Sequence, residues 1–171
     1  MKLTVKEMTK IAIFPALMIA TAGISIPMTG APITLQTLFV LLAGMILGAR
    51  LGALSMVIYI ILGAFGLPVF ANFSGGMGVI LGPTGGFILA FPIAAFITGL
   101  LVKQDNKLSY LIAGLIASVV IYLMGIPWLS YMLGWRLQET LVTMSVYFPG
   151  DLIKLVLAIF IADRLSRHNL T

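Results

Sequence analysis

Only one acid–base pair sits inside an apolar run of this sequence: Asp151 and Lys154 in Val146-Tyr-Phe-Pro-Gly-Asp-Leu-Ile-Lys154, followed by apolar residues to Ile161. Pro149 suits the first turn of a helix, where its missing N–H is no loss. Asp151 then falls in that first turn, where the helix dipole favours an anion. Lys154 is three residues on, so both side chains leave nearly the same face. Charged groups within membrane-spanning helices are costly and usually face the bundle interior or a wet cavity. Two readings are open: a structural ion pair that fixes the last helix against its neighbours, and a ligand site. The polar groups expected to converge on such a site are Gln36, Asn72, Ser74, Thr84 and Tyr122. With few polar anchors and mainly apolar walls, it suits a small solute with an apolar body, a hydrogen-bonding end and a carboxylate.

Other chemistry finds no residues. There is no cysteine, and the only histidine is His168 near the end of the chain. Thiolate chemistry, a His-based metal site and a Ser-His or Cys-His nucleophile are thereby set aside. Neither a cofactor nor an enzymatic activity is expected. The net charge of +5 lies in short clusters between apolar runs, without a basic stripe interleaved with aromatics, so nucleic acid is not an expected partner.

The elements that must position the pair follow from composition. Apolar residues make up 61% of the 171 residues and charged residues 9%, against roughly 45–50% and 25% in soluble domains. The solvent for most of the surface is therefore expected to be lipid. A spanning helix needs about 20 apolar residues, which predicts six spans near 9–26, 33–49, 52–67, 84–102, 108–128 and 149–165. The expected fold is an all-α integral membrane protein, a single domain over residues 1–171 built as a compact bundle of six transmembrane helices. Lys2, Lys6 and Lys10, then Arg50, Lys103 and Lys107, and finally Arg164 and Arg167 fall on one side of these spans, while the other side receives only Arg136. The positive-inside rule then puts both termini in the cytoplasm, in a multi-pass protein of the cytoplasmic membrane. The basic start and Ala20-Thr-Ala22 fit a signal peptide loosely; the stretch is expected to remain as the first helix.

The outer segments differ from the inner turns. Ser25-Ile-Pro-Met-Thr-Gly-Ala-Pro-Ile-Thr34 carries two prolines and no charge. Residues 66–86 are rich in glycine and aromatics, and apolar enough to pack into the bundle as a lid between the third and fourth helices. Non-helical backbone at membrane depth needs such burial. Residues 129–148, with Tyr131, Trp135, Arg136, Glu139 and Tyr147, suit an interfacial helix, where an aromatic belt is as good an account of the rings as a ligand site. Gly44, Gly48 and Gly52 are spaced for tight helix contact within the bundle. Ala12, Ala16 and Ala20 share one face of the first helix, which suits close packing inside the bundle or docking on another membrane subunit.

Six stretches together resemble one family. Ile33-Thr-Leu-Gln-Thr-Leu38, Leu47-Gly-Ala-Arg-Leu-Gly-Ala-Leu-Ser55 and Gly66-Leu-Pro-Val-Phe70 come first. Gly82-Pro-Thr-Gly-Gly-Phe87, Gly125-Ile-Pro-Trp-Leu129 and Pro149-Gly-Asp-Leu-Ile-Lys154 follow, in order and spacing. They are similar to the BioY family, the biotin-binding S-components of energy-coupling-factor (ECF) transporters. The resemblance implies high-affinity biotin capture for uptake, at a site near the outer surface covered by the first two outer loops. It assigns substrate contacts to Asp151 and Lys154, with Asn72 and Gln36 as weaker candidates. Asp151 would accept from the ureido N–H groups, while Lys154 would meet either the ureido carbonyl or the carboxylate. Phe73, Phe87, Tyr122 and Trp128 would pack on the ligand. Phe87 stands where tyrosine is common, so a hydrogen bond from that ring is missing. The resemblance also implies an energy-coupling transmembrane subunit, docked on Ala12, Ala16 and Ala20, and two cytoplasmic ATPases. The chain itself lacks a Gly-x-x-x-x-Gly-Lys-Ser/Thr phosphate loop. Competing readings are a small proton-coupled secondary transporter with Asp151 as carrier, which the lack of an inverted repeat disfavours, and an S-component for another vitamin.

Overall fold

Thr4 starts the first helix. Its backbone N–H donates to Glu7 Oε2 at 2.8 Å and Glu7 N–H donates back to Thr4 Oγ1 at 3.3 Å, a reciprocal cap for the orphan donors of a first turn. The cap moves the helix toward the N-terminus of the range that hydropathy alone suggests. In the computed structural model, which describes residues 3–103 and 106–167, α1 runs from Val5 to Ala20 rather than over 9–26. Lys2 and His168 lie outside the described residues.

The rest of the apolar stretch leaves the helix and pairs instead. Strands β1 (Ser25–Ile26) and β2 (Ile33–Thr34) form a two-residue antiparallel ladder, Ser25 opposite Thr34 and Ile26 opposite Ile33. Then come α2 (Gln36–Ala64), a 3₁₀ turn (Ala71–Phe73), α3 (Met77–Ile80), α4 (Gly85–Leu101), α5 (Lys107–Leu133), α6 (Leu137–Ser145) and α7 (Phe148–Arg167). Asn106 caps α5 by accepting from Leu108 N–H and Ser109 N–H at 3.0 and 3.2 Å. α5 runs five residues past its expected end through Pro127, and stops where Gly134 turns left-handed at φ 66°.

α2 is not one rod. Gly48 holds φ 78° and ψ 177°, outside helical values. Gln36 Nε2 donates to Tyr59 Oη at 2.5 Å, whereas a straight helix would separate residues so spaced by about 35 Å. A Cβ on Gly52 would stand 2.8 Å from Ala43 O. The chain therefore reverses at Gly48, and α2 is an antiparallel helical hairpin where the sequence predicts two spans around Arg50. Glycine also lets α4 close on the turn: a Cβ on Gly99 would lie 2.2 Å from Ala49 N, and one on Gly44 would lie 2.5 Å from Ala95 O. Gly44 and Gly52 are close-contact positions, against Ala95 and Ala43, whereas Gly48 makes the turn and has open space beside it, so the three do not share one helix face.

Polar groups inside the bundle are matched. Pro15 cannot donate to Ile11 O as a residue four positions on normally would. Ser55 Oγ of α2 supplies that bond at 2.7 Å. The Tyr59 hydroxyl donates to Val69 O at 2.9 Å, tying the glycine-rich segment into the core beside buried Phe70.

Small residues are prominent among the buried positions of α4 and α7, together with Ile88, Phe91 and Leu155. On α4, Gly85, Gly86, Ala90, Ala94 and Ala95 are buried while Leu89, Ile93, Phe96 and Leu100 are exposed. On α7, Ala158 and Ala162 point inward while Leu152, Ile153, Val156 and Phe160 point outward. Small residues bring backbones together and bulky apolar ones face a hydrocarbon solvent. By length and apolarity alone, α5 is long enough to cross a membrane, as is α2 counted end to end across its reversal at Gly48, and α6 with α7 forms a third candidate bent by 54°.

Gly48→Ala tests the reversal cleanly, because a Cβ there meets no atom within 4 Å and only backbone strain changes. The substitution is expected to cost on the order of 1–3 kcal/mol, read as a lowered thermal midpoint in detergent. An unchanged midpoint would mean that the chain does not turn at this residue.

Candidate functional site

Helix α7 begins with Phe148 and Pro149, so Asp151 lies in its first turn, with its N–H donating to Tyr147 O at 3.0 Å. One turn on, Lys154 Nζ donates to Asp151 Oδ1 at 2.7 Å, and the two side chains are 12% and 17% exposed for Lys154 and Asp151. Two other elements reach the pair. Thr37 Oγ1 of α2 accepts from Lys154 Nζ at 3.1 Å and donates to Asp151 Oδ1 at 3.3 Å. The Tyr122 hydroxyl of α5 donates to Asp151 Oδ2.

The pair borders a cavity of about 300 Å³ lined by the starts of α2, α4 and α7, the middle of α5, the Ala31–Thr34 segment and the 3₁₀ turn. That is the small end of the range typical of ligand pockets. Ile88, Phe91, Ile121 and Met144 supply apolar wall. Among the described residues lining the cavity, Asp151 and Lys154 are the only charged ones.

Of the ten residues that the sequence offers as contacts, eight line this cavity: Gln36, Asn72, Ser74, Thr84, Phe87, Tyr122, Asp151 and Lys154. Their readiness differs. Gln36 is already bound to Tyr59 and accepts from Thr34 Oγ1 at 3.2 Å. Asn72 sits left-handed at φ 56°. Its N–H donates to Ala22 O at 2.9 Å and its Oδ1 accepts from Ser25 Oγ, which ties the connection between α1 and α2 to the glycine-rich segment. Phe87 meets Tyr122 edge to face at 6.4 Å.

Trp128 lies elsewhere. Its indole N–H donates to Gly82 O at 2.9 Å and its side chain packs where a Cβ on Gly86 would be, so it pins the glycine-rich segment and does not line the cavity. Phe73 also lies outside the lining, 58% exposed, with its ring over Gly23. Ala12, Ala16 and Ala20 are exposed along the outside of α1, while Ile11, Phe14, Pro15 and Met18 face the bundle. Thr37 is the contact that sequence reasoning missed. A lone hydroxyl in an apolar run carries no periodic signal, and only the crossing of α2 with α7 gives it its partners. Tyr147 also lines the cavity, buried, with its hydroxyl donating to Ala31 O; burial pushes its phenol above the ordinary value.

Removing one member of a buried ion pair leaves a charge without a partner, at a cost of about 3–5 kcal/mol, whereas removing both is often near neutral. Lys154→Met is therefore expected to lower the thermal midpoint more than the double variant Asp151→Asn/Lys154→Met. Additive losses would show that the two groups are not coupled.

Comparison with known proteins gives one answer. A model of the BioY family matches residues 1–170. A probable biotin transporter BioY of Pyrococcus horikoshii is 47% identical over 96% of this chain and 98% of its own. The biotin transporter BioY of Thermotoga maritima is 41% identical over 95% of this chain and 96% of its own. Among solved structures, the crystal structure of the S-component for biotin from an ECF-type ABC transporter superposes with a TM-score of 0.89. It shares 31% identity, over 97% of this chain and 95% of that one. With a family match along almost the whole chain and the same fold in a solved relative, this chain belongs to the BioY family.

Proposed function

We propose that this protein is the biotin-capturing S-component of an ECF-type transporter in the cytoplasmic membrane. The observation that carries the site assignment is the adjacency, within one apolar-walled cavity, of a carboxylate and an ammonium 2.7 Å apart. A cyclic urea offers N–H donors beside a carbonyl acceptor, and such a pair is its complement. Asp151 accepts from ureido N–H, Lys154 donates to a ligand oxygen, and Phe87 and Tyr122 pack on the ring system. Gln36, Asn72 and Thr84 are supporting polar contacts. The relatives named as biotin transporters support the choice of ligand.

In the membrane, we read six crossings: α1, the two arms of α2, α4, α5 and α7. One end of the bundle gathers Glu7 near Arg50, the Gly48 turn against Gly99, and Lys107 paired with Asp163 at 3.4 Å. By the positive-inside rule, those basic residues support a cytoplasmic place for that end and both termini with it. The cavity then faces outward, and the glycine-rich segment, tied to the first outer loop through Asn72, acts as its lid. Delivery uses an energy-coupling transmembrane subunit and two cytoplasmic ATPases, docked along the exposed Ala12, Ala16 and Ala20.

Calorimetric titration of biotin into the purified protein, in detergent and in lipid nanodiscs, tests the ligand. Tight binding is expected, with a loss of about 100-fold or more in Asp151→Asn and Lys154→Ala, since each leaves a charged partner unmatched. No heat in either medium removes the biotin assignment. Separately, Ala16→Leu is expected to leave biotin binding intact and to abolish ATP-dependent uptake in cells carrying the coupling module. Undiminished uptake would place the docking face elsewhere.

A further inference from the structure

Gln36 lines the cavity, and a side-chain amide can show either its donor or its acceptor at a given point, depending on which way it is turned. The bonds around it decide the turn. They end on a group that can only accept, the carbonyl of Val69. The Tyr59 hydroxyl donates its single proton to that oxygen at 2.9 Å. Tyr59 Oη is then left with lone pairs alone, so the Gln36 atom that meets it at 2.5 Å has to be Nε2, donating. The other half of the amide agrees. Thr34 Oγ1 accepts from the Gln36 backbone N–H at 3.3 Å and donates to Gln36 Oε1 at 3.2 Å. The series therefore runs one way, from a backbone N–H to a backbone carbonyl, with one acceptor for each proton.

Its surroundings hold it. Gln36, Tyr59 and Val69 are all buried, so water does not compete for these groups. The Phe70 ring meets the Tyr59 ring edge to face at 5.4 Å, and Phe70 itself sits where a Cβ on Gly63 would lie. Turning the amide over would set Gln36 Oε1 against Tyr59 Oη with no proton between them, or would leave Val69 O without its donor. Either fault, in a buried place, disfavours the turned amide by about 5- to 150-fold.

We infer that Tyr59 is a positioning residue for ligand capture: through its hydroxyl it fixes the Gln36 amide, so that one Nε2–H and one lone pair of Oε1 remain for the ligand in a set order. This rests on the biotin reading for its ligand and adds a selection rule at the start of α2. A ligand has to match donor and acceptor in that order, since this amide does not turn over to suit it. Tyr59 acts only through Gln36, because it is fully buried and lies outside the cavity lining. With the amide set before ligand arrives, less ordering remains to be done on binding.

The test titrates biotin into the purified protein, Tyr59→Phe, Gln36→Met and the double variant, with ligand-free thermal midpoints taken alongside. Tyr59→Phe keeps the ring against Phe70 and removes only the hydroxyl. It is expected to weaken biotin about 3- to 10-fold, and Gln36→Met by at least as much. In the Gln36→Met background, Tyr59→Phe should cost no further affinity. It should still lower the midpoint in both backgrounds, because Val69 O loses its donor in each. A hydroxyl that merely held the glycine-rich segment would instead weaken biotin by the same factor with or without the amide. Equal factors overturn the inference, as does unchanged biotin binding in either single variant, and the biotin reading survives both results. That reading fails only if the unaltered chain binds no biotin, and the inference then fails with it.

Discussion

Asp151 and Lys154 face each other at 2.7 Å on mostly buried side chains, and much of the bundle is arranged so that they can. Withdrawing two such charges from water costs on the order of several kcal/mol per ion, offset only when geometry is good and the remaining hydrogen-bonding capacity is filled. Thr37 and Tyr122 fill it, one from α2 and one from α5. The pair therefore requires three helices to meet at one level. It also fixes the rotation of α7, because only one face of that helix can carry the charges inward while Leu152, Ile153 and Val156 face outward.

That convergence depends on how closely the backbones approach. The reversal at Gly48 folds α2 on itself, Gly52 leaves no side chain between its two arms, and Gly44 and Gly99 leave none between α2 and α4. With α4 drawn in, its N-terminal end and the glycine-rich segment before it come over the same region as the start of α7. The segment is held by Tyr59 to Val69, Trp128 to Gly82 and Asn72 to Ala22. Each is a bond to backbone, as expected where irregular chain is withdrawn from water and its N–H and C=O groups need partners. Ser55 serves the same need where Pro15 leaves Ile11 O without its helical partner.

The charged pair was legible in the sequence because charge is scarce: two ionisable groups in an otherwise apolar run stand out whatever the fold. The helical bundle was legible for the same reason, through long apolar stretches separated by basic clusters. The position of the α2 reversal was nearly so, displaced from Arg50 to Gly48 because charge marks the side of a turn and not its φ angle. Where neighbours decide, legibility ended. Hydropathy runs on through Ile26, yet the Thr4–Glu7 cap and the β1–β2 ladder set the limits of α1. An indole beside a glycine-rich segment reads alike whether it faces a ligand or a carbonyl, and the space left by Gly86 settles Trp128 on Gly82. Thr37 had no mark at all until α2 lay beside α7.

The neutrality of the pair also bears on how such a site selects. An isolated lysine would attract any small anion, and an isolated aspartate any cation, with strength that falls as salt rises. Opposite charges in contact cancel at a distance and leave only a local pattern, acceptor beside donor. A ligand is then selected by the match of its own donors and acceptors to that pattern and by the apolar area it covers. Because Thr37 and Tyr122 hold the pair in place before ligand arrives, little ordering remains to be done on binding. On the proposed reading this favours a solute that presents a cyclic urea to the pair over one that presents only a charge.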